Sequence, residues 1–193
     1  ARMPDYVKQA RKLAPEGKII VHCWRGGQRS GSLSWLLSFA GMDVMTLQGG
    51  YKAYRQYIQQ QFLQHKLKMI VLGGQTGSAK TKTLHELAAL GEQVIDLEKL
   101  AHHKGSAFGA LGEDAQPTVE QFENDLYATF AQLDPQRRIW IENESRGIGR
   151  VFMPQGFWEQ FRQSPLIDLV LPFEERVDFL VKTFRFCAMI TCY

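Results

Sequence analysis

Residues 68–81 read KMIVLGGQTGSAKT, an apolar strand that leads into a glycine-rich loop and then into a helix. A loop of the form G-x-x-x-x-G-K-[ST] in this context binds phosphate, because its backbone N–H groups surround the phosphate oxygens. The lysine neutralises charge, and the hydroxyl that follows it could ligate Mg²⁺. The predicted phosphate-binding residues are Gly74, Gly77, Ser78, Lys80 and Thr81.

This loop departs from the motif at Ala79, where the pattern has glycine. Alanine costs little at a negative φ and more at a positive one. We therefore expect anion binding by this loop to be weakened but retained.

Strands and helices alternate along the rest of the chain. After the loop, the pattern predicts strands at 93–97, 138–142 and 166–171, and helices at 80–90, 118–133, 154–163 and 173–184. Such alternation is typical of parallel sheets. We predict an α/β fold in which a partial α/β unit, residues 1–64, precedes a P-loop-type parallel-sheet domain, residues 65–193.

A second loop of the same kind lies upstream, between a strand at 18–22 and a helix at 32–40, and contains HCWRGGQRS. A cysteine at a helix N-terminus is stabilised as a thiolate by the helix dipole and backbone amides. Two arginines add positive charge, and two glycines allow the backbone to approach an oxyanion. The predicted catalytic residues are Cys23, Arg25 and Arg29, with Gly26 and Gly27 as phosphate-binding residues; a buried structural cysteine is the alternative.

Polar clusters follow the strands of the second domain. In an open α/β sheet, ligands bind at the carboxyl ends of the strands. We therefore expect these clusters to surround the Lys80 phosphate site and to contact substrate or RNA. The candidates are Asp96, Glu98, His102, His103, Lys104, Ser106, Glu142, Glu144 and Arg146. No dedicated metal site is predicted.

Net charge, cysteine count and the length of the apolar runs limit the classes of protein to which the chain can belong. The chain has 193 residues, a formal net charge of +3 and three cysteines, at 23, 187 and 192. An odd cysteine count without regular spacing is not a disulfide framework, so we expect reduced thiols and a cytoplasmic protein. No apolar run reaches the length of about 20 residues that a membrane span needs, and no DNA partner is predicted.

With both loops in place, the sequence resembles the tRNA 2-selenouridine synthase family, which joins a rhodanese-like domain to a P-loop domain. Five stretches carry the resemblance in the family's order: HCWRGGQRS, LQGGYKAYR, GGQTGSAKT, DLEKLAHHKGSAFG and IENESRGIG. They cover nearly the whole chain. The resemblance implies that residues 1–64 are the C-terminal half of a rhodanese-like domain, and that Cys23 matches the essential cysteine of that domain.

The resemblance also implies a transferase that acts on tRNA. Family members convert a 2-thiouridine at the wobble position to 2-selenouridine through an S-geranyl intermediate. Geranyl diphosphate and selenophosphate are the implied co-substrates, and a selenophosphate-supplying enzyme is the implied partner. The family has further residues upstream of Ala1 and a longer C-terminal helical region. We therefore expect this chain to be a fragment, truncated at its C-terminus, that binds ligands without completing the reaction.

Two other classes of enzyme fit parts of the pattern. Residues 22–30 also satisfy the H-C-x5-R-[ST] motif of cysteine-dependent phosphatases, in which the thiolate attacks phosphorus and the arginine holds the phosphate oxygens. Residues 74–81 alone would suit a P-loop NTPase with a sulfur-carrier module. The phosphatase is the stronger rival, but the downstream sequence argues against it, because a phosphatase would need neither Lys80 and Thr81 nor the segment at 96–108.

Overall fold

The computed structural model describes residues 3–105 and 109–190, and for residues 183–190 it describes the backbone alone. The chain divides into two compact units, Ala1–Gln60 and Gln61–Tyr193. This division lies four residues before the predicted boundary between residues 64 and 65.

The first unit is a small α/β arrangement around two parallel strands. Its elements are α1 (Met3–Leu13), β1 (Lys18–Val21), α2 (Gln28–Phe39), β2 (Asp43–Thr46) and the first part of α3 (Gly50–Gln64). In the parallel pair, Lys18 lies opposite Asp43 and Val21 opposite Thr46. The buried core consists of Ala10, Val21, Leu37 and Met42. Ile20 and Met45 are 61% and 57% exposed, so part of this sheet carries apolar side chains in contact with solvent.

The second unit is a parallel sheet with helices. Its elements are β3 (Lys68–Gly74), α4 (Lys80–Ala89), β4 (Gln93–Ile95), α5 (Leu97–Ala101), α6 (Val119–Phe130), β5 (Arg138–Glu142), β6 (Gly147–Ile148), β7 (Val151–Phe152), α7 (Gln155–Arg162), β8 (Leu166–Leu169) and α8 (Phe173–Ile190). The four-stranded sheet has the order β4-β5-β3-β8, and all of its pairings are parallel. Because β3 lies inside the sheet, the loop that leaves its carboxyl end is held by a strand on either side.

Aromatic packing fixes the helices of the second unit. Phe62 is fully buried, and its ring meets those of Phe130 and Phe157 edge to face, with centroids 5.2 and 5.8 Å apart. Full burial of such a side chain contributes roughly 1.5–3 kcal/mol to the free energy of unfolding. Gln160 donates from Nε2 to the carbonyl oxygens of Phe62 and His65, at 2.6 and 3.0 Å. This framework leaves the loops at the carboxyl edge of the sheet free to form a site.

The structure confirms the predicted α/β class with a parallel sheet, and it corrects several boundaries. Helix α2 begins at Gln28, four residues before the predicted start, so it starts directly at the cysteine loop. The predicted strand at 93–97 ends at Ile95, because Asp96 accepts the Lys99 N–H at 2.8 Å and begins the short helix α5. The two-stranded hairpin β6–β7 was not predicted. No helix in the described ranges is long and apolar enough to cross a membrane.

Two candidate anion-binding loops

The cysteine loop leads from β1 into α2 and has a buried serine at its centre. Ser30 is 3% exposed, and its Oγ lies 3.3 Å from the Cys23 sulfur and 3.0 Å from the carbonyl oxygen of Gly27. The hydroxyl proton can point to only one of these two acceptors. When the sulfur is ionised, the hydroxyl donates to it, because a hydrogen bond to a charged acceptor is the stronger one.

The loop lowers the pKa of Cys23 to about 6. The hydrogen bond from the Ser30 side chain is the largest cause, followed by the backbone amides of Ser30, Gly27 and Arg25. These amides belong to the first turn of α2 and the residues before it, where backbone donors lack helical acceptors. A thiol with this pKa is largely a thiolate at neutral pH, which is the reactive form.

The N-terminus of α3 also forms hydrogen bonds with the backbone of the cysteine loop. The backbone N–H groups of Tyr51 and Lys52, in the first turn of α3, donate to the carbonyl oxygens of Cys23 and Trp24 at 3.0 and 2.9 Å. Gly50 has a φ of +67°, and a Cβ there would overlap with the Cys23 carbonyl oxygen and the Gly26 nitrogen. The stretch LQGGYK therefore shapes the cysteine loop by close backbone contact.

The two arginines of the loop are exposed, and neither side chain has a polar partner in the part of the chain that the structure describes. Arg25 contributes its backbone amide to the Cys23 sulfur. The Arg29 side chain lines an apolar cavity of about 870 Å³ with Tyr6 and Trp35. The lowered pKa of Cys23 thus comes from the side chain of Ser30 and from backbone amides, which the sequence had indicated, and not from the arginine charges that it had added to them.

The second loop, Gly74–Thr81, leads from β3 into α4. Lys80 is the first residue of α4, and its Nζ donates to the carbonyl oxygen of Gly74 at 3.0 Å, across the loop. Ala79, at the N-cap, has a φ of +62° and a ψ of +30°. This is the left-handed region, which costs an L-residue with a Cβ roughly 1–2 kcal/mol. The departure from the phosphate-loop pattern is therefore a source of backbone strain.

A cleft of about 570 Å³ opens over this loop. It is lined by the whole of residues 74–81, and beyond them by Lys82, Glu98, Lys104, Gly105, Asn143, Glu144, Ser145, Phe179 and Leu180. Among the predicted contacts, Glu98, Lys104 and Glu144 thus line the same cleft as Lys80. Lys82, Phe179 and Leu180 are lining residues that the sequence had not indicated.

A chain of hydrogen bonds connects the loop to the carboxyl end of β5. Thr81 Oγ1 donates to Glu98 Oε2 at 2.8 Å, and the Glu98 backbone N–H donates to Glu142 Oε1 at 2.8 Å. Glu142 is fully buried, and its Oε2 has no hydrogen-bond partner among the described residues. Asp96 stands beside this chain, where its carboxylate caps α5 and lies 2.7 Å from His85 Nε2.

Burial raises the pKa of three carboxyl groups in this region, those of Glu142, Glu144 and Glu98. The pKa of Glu142 rises to about 8, mainly through burial and then through the charge of Asp96. Burial and the charge of Glu98 raise the pKa of Glu144 to about 7, although Lys80 acts in the opposite direction. The pKa of Glu98 is also raised, by burial first. The two glutamates that line the cleft, Glu98 and Glu144, therefore repel an anion less than two carboxylates of ordinary pKa would.

The segment after α5 folds over Glu144. Gly105 has a φ of +66°, and a Cβ there would overlap with both Glu144 carboxylate oxygens. Lys104 Nζ forms an ion pair with Glu113 at 2.8 Å. His103 Nδ1 accepts the Gly105 N–H at 3.2 Å. His102 Nδ1 hydrogen-bonds the carbonyl oxygen of Ala115 at 3.0 Å.

The two histidines therefore stabilise the segment and do not line the cleft. Ser106 lies outside the described residues. Within the described ranges, no group of three His, Cys, Asp or Glu side chains is arranged to hold a metal ion.

Arg146 lies at the start of the β6–β7 hairpin and is exposed, as is Arg150 in its turn. Gln116 fixes this hairpin: its Nε2 donates to the carbonyl oxygens of Ala101 and Ile148, and its Oε1 accepts the Arg150 N–H at 2.9 Å. Phe152 is 52% exposed on the same hairpin. Arg146 thus does not line the cleft, and with Arg150 and Phe152 it gives the β6–β7 hairpin an exposed basic and aromatic surface.

The family described as "tRNA 2-selenouridine synthase AAA domain" matches residues 67–189, which is more than half of the chain and contains the whole of the phosphate loop. The chain belongs to the tRNA 2-selenouridine synthase family. The match begins one residue before β3 and ends one residue before the end of α8, so its limits are those of the parallel-sheet unit from its first strand onward.

Several relatives extend this similarity into the first unit. A protein of Sulfurovum sp. strain NBC37-1 named tRNA 2-selenouridine synthase is 38% identical over 170 residues, covering 86% of this chain and 45% of the relative. Proteins of the same name from Bdellovibrio bacteriovorus and Shewanella frigidimarina are 41% and 34% identical, over 83% and 92% of this chain and 43% and 50% of their own lengths. The chain spans about half the length of these relatives.

Proposed function

We propose that this chain carries the two anion-binding loops of an enzyme that converts 2-thiouridine to 2-selenouridine in tRNA. The lysine-bearing loop at the head of a parallel-sheet cleft is the observation on which the proposal mainly rests, together with family membership. The proposed co-substrates, geranyl diphosphate and selenophosphate, both carry phosphate. Two separate electropositive loops therefore suit two phosphate-bearing ligands.

In the first proposed step, the phosphate loop holds the diphosphate of geranyl diphosphate. The sulfur of 2-thiouridine attacks the first carbon of the geranyl group, and the carbon–oxygen bond to the diphosphate breaks. The diphosphate leaves with the electron pair, and the base loses its N3 proton. Lys80 and the first-turn amides of α4 stabilise the charge that develops on the leaving oxygen.

In the second proposed step, selenium replaces the geranylthio group. Selenium of selenophosphate adds to C2 of the base, the geranylthiolate leaves and is protonated, and water cleaves the selenium–phosphorus bond to release orthophosphate. We assign the cysteine loop to this half of the reaction, with Cys23 as its reactive group. Support comes from the lowered pKa of Cys23 and from the backbone donors around its sulfur.

Mg²⁺ fits the phosphate loop as a partner of the bound diphosphate. The Thr81 hydroxyl and the neighbouring Glu98 offer the oxygen ligands that this ion prefers. When bound, Mg²⁺ would neutralise charge on the diphosphate oxygens. The chain's own contribution is to orient the Thr81 hydroxyl, which donates a hydrogen bond to Glu98 Oε2 and so keeps its oxygen lone pairs available.

The proposed tRNA contacts lie on the exposed basic and aromatic surface of the β6–β7 hairpin. Arg146 and Arg150 are exposed and suited to phosphate oxygens, and Phe152 is exposed and suited to stacking on an unpaired base. The partial exposure of the cleft residues Glu98 and Glu144 would let the base reach them. A cytoplasmic location and a selenophosphate-supplying enzyme as partner belong to the same proposal.

Nucleoside analysis tests the division of labour between the loops. The full-length gene that contains this sequence is expressed in a bacterial strain that lacks 2-selenouridine, and tRNA hydrolysates are analysed by mass spectrometry. Lys80→Ala is expected to abolish both geranylated and selenated nucleosides. Cys23→Ala is expected to abolish 2-selenouridine while the geranylated nucleoside accumulates. Loss of both products in both variants would contradict the assignment of the loops.

Direct binding gives a second test that does not need turnover. Inorganic pyrophosphate is titrated calorimetrically into the 193-residue chain, and Lys80→Ala is expected to weaken binding about 10- to 100-fold, the effect of one charge-assisted hydrogen bond. Lys66→Ala, an exposed lysine beside the opposite edge of the sheet, is the matched control. Nucleotide hydrolysis by the intact enzyme without any prenyl diphosphate would favour the P-loop NTPase instead.

A further inference from the structure

Helix α8 packs directly on the phosphate loop. A methyl group at Gly77 would lie 2.7 Å from the carbonyl oxygen of Arg176 and 3.0 Å from Leu180 Cγ. Gly77 has a φ of +85°, and only glycine satisfies both the conformation and the contact. The first turns of α8 therefore form one wall of the loop, although about 100 residues separate them in the chain.

The guanidinium of Arg176 is held at this wall with spare donors. Its Nη1 donates to the Thr76 carbonyl oxygen at 3.3 Å, and the group lies over the Phe173 ring at 5.7 Å from the centroid. Its Nε is buried without a hydrogen-bond partner in the described part of the chain. A guanidinium has five N–H donors and is always charged. One long hydrogen bond to a neutral carbonyl leaves most of this capacity unused.

Arg176 forms no ion pair with a carboxylate of the described residues, although Asp168 lines the same groove. The side chain lines a groove of about 370 Å³ together with Gly74, Gln75, Asn143 and Asp168. The Asp168 carboxylate packs against Gly73, and no carboxylate of the described residues forms an ion pair with Arg176. Among the described residues, the Thr76 carbonyl oxygen and the Phe173 ring therefore offset only part of the cost of partly burying this cation.

This groove shares its lining with the cleft over the phosphate loop. Gly74, Gln75 and Asn143 border both spaces. An anion seated on the loop would have Lys80 at the start of α4 and Arg176 on the α8 wall. A diphosphate ester has oxygens on two phosphorus atoms, and Arg is suited to hold two of them with a pair of parallel hydrogen bonds.

We propose that Arg176 is a phosphate-binding residue that completes the anion site of the loop, where it binds a diphosphate together with Lys80. This inference rests on the proposed function of the loop as a diphosphate site. It adds a cationic group from a distant helix that neither the loop motif nor the polar clusters at the strand ends contain.

A set of charge-matched variants tests this role against a purely structural one. Arg176→Gln removes the charge and keeps a donor for the Thr76 carbonyl, and Arg176→Lys keeps the charge. Arg162→Gln is the control, because it makes the same change in net charge at an exposed position near the amino end of β8. Affinities for inorganic pyrophosphate and orthophosphate are measured by calorimetry at about 0.1 M salt, and thermal unfolding is recorded for each variant.

We expect Arg176→Gln to weaken pyrophosphate binding about ten-fold and orthophosphate binding less, because orthophosphate cannot span both cations. Arg176→Lys should retain part of the affinity, and Arg162→Gln should stay within about two-fold of the unaltered chain. Equal affinities in Arg176→Gln and Arg162→Gln would overturn the inference. Equal losses in Arg176→Gln and Arg176→Lys, with equal falls in Tm, would also overturn it, because they would assign Arg176 to loop anchoring.

The pyrophosphate titration of Lys80→Ala distinguishes a failure of the diphosphate site from a failure of the role of Arg176. If Lys80→Ala weakens pyrophosphate binding and Arg176→Gln does not, the diphosphate site stands and the role of Arg176 fails. If neither substitution matters, the diphosphate site itself is wrong.

Discussion

The cysteine loop and the phosphate loop are built alike and charged differently. Each leads from a parallel strand into a helix, and each is held in shape by a glycine with no room for a Cβ, Gly50 in one case and Gly77 in the other. In the cysteine loop, backbone amides and a serine lower the pKa of an acidic group. In the phosphate loop, burial raises the pKa of the carboxyl groups around a lysine.

This difference shows that one loop geometry can serve two chemical purposes. The cysteine loop directs its donors to an atom of the protein, so its preferred anion is its own sulfur. In the phosphate loop, Lys80 donates to the carbonyl oxygen of Gly74, which is a neutral group. The charge of the lysine is therefore left for an anion from outside the protein. The raised pKa values of Glu98 and Glu144 beside it lessen the repulsion of such a ligand. The four predictions below test this contrast, from the largest expected effect to the smallest.

Gly50→Ala should disrupt the cysteine loop and leave the phosphate loop intact. The added Cβ overlaps with the Cys23 carbonyl oxygen and the Gly26 nitrogen, and the positive φ adds strain, so we expect a loss of about 3 kcal/mol in the free energy of unfolding of the first unit. The pKa of Cys23 should rise as the loop opens. Urea denaturation and thiol alkylation against pH measure these effects, and pyrophosphate affinity should not change.

Gly31→Ala is the control for this substitution. Gly31 lies within α2, and a Cβ there meets nothing within 4 Å. The change should stabilise the unit by roughly 0.5–1 kcal/mol, because alanine has the better helix propensity. Similar destabilisation by both substitutions would show that close packing at Gly50 does not shape the loop.

Ser30→Ala should raise the pKa of Cys23 from about 6 by about one unit, because it removes the largest cause of the lowered value. The rate of iodoacetamide alkylation at Cys23, followed by peptide mass spectrometry, should reach half its maximum at a correspondingly higher pH. Ser38→Ala, on the exposed side of α2, should leave the profile unchanged. An unshifted profile for Ser30→Ala would mean that the backbone amides alone stabilise the thiolate.

Glu142→Gln should reduce the pH dependence of stability. The folded-state pKa of Glu142, about 8, lies above the ordinary value of 4.5, so the folded chain holds a proton that the unfolded chain releases in this window. Stability therefore falls as pH rises from about 4.5 to 8, by up to about 1.4 kcal/mol per pH unit for this group. Glutamine keeps the acceptor for the Glu98 N–H and carries no charge.

Urea denaturation at pH 6 and pH 8 measures this slope. We expect a shallower decline in the Glu142→Gln variant, while Glu86→Gln, an exposed change on α4, should keep the original slope. A Glu142→Gln variant with the original slope would show that the buried carboxyl group does not hold its proton in the folded chain.

Ala79→Gly should give the smallest effect and should improve the phosphate loop. It relieves the strain of a left-handed alanine, about 1–2 kcal/mol, and loses roughly 0.5–1 kcal/mol through the greater freedom of glycine in the unfolded chain. We expect a net gain of about 1 kcal/mol or less and about two-fold tighter pyrophosphate binding. Ala88→Gly, inside α4, should instead destabilise the unit by about 1 kcal/mol. If both substitutions changed the free energy of unfolding in the same direction, backbone strain at Ala79 would be contradicted.

The parallel sheet could be predicted because its strands are short apolar runs between stretches of helical spacing. β5 was predicted with its observed limits, Arg138–Glu142, and α4 to within one residue. The start of α5 was missed because the apolar run continues through Leu97, and the Asp96 cap becomes visible only once its bond to Lys99 is known. The hairpin β6–β7 was missed because strands of two residues carry no periodic pattern.

The site was predictable where a local pattern carries the chemistry. The phosphate loop and the cysteine loop each lie within ten consecutive residues, and Ser30 was present in the pattern without an assigned role. Arg176 could not be found in this way, because its link to Thr76 joins residues about 100 positions apart. Sequence spacing also could not show that the His102 and His103 rings turn to Ala115 and Gly105 instead of to the cleft.

Gln116 has a consequence for anyone who would re-engineer this protein. One amide side chain bonds three backbone groups, one at the end of α5 and two in the β6–β7 hairpin, and Gly149 leaves no room for a Cβ beside it. A shortened connection between α5 and α6, or a loop graft at that place, would therefore have to retain a glutamine at this point in space. Without it, the β6–β7 hairpin, which Arg146 precedes and whose turn contains Arg150, would lose the hydrogen bonds that hold it to α5, while the parallel sheet remained folded.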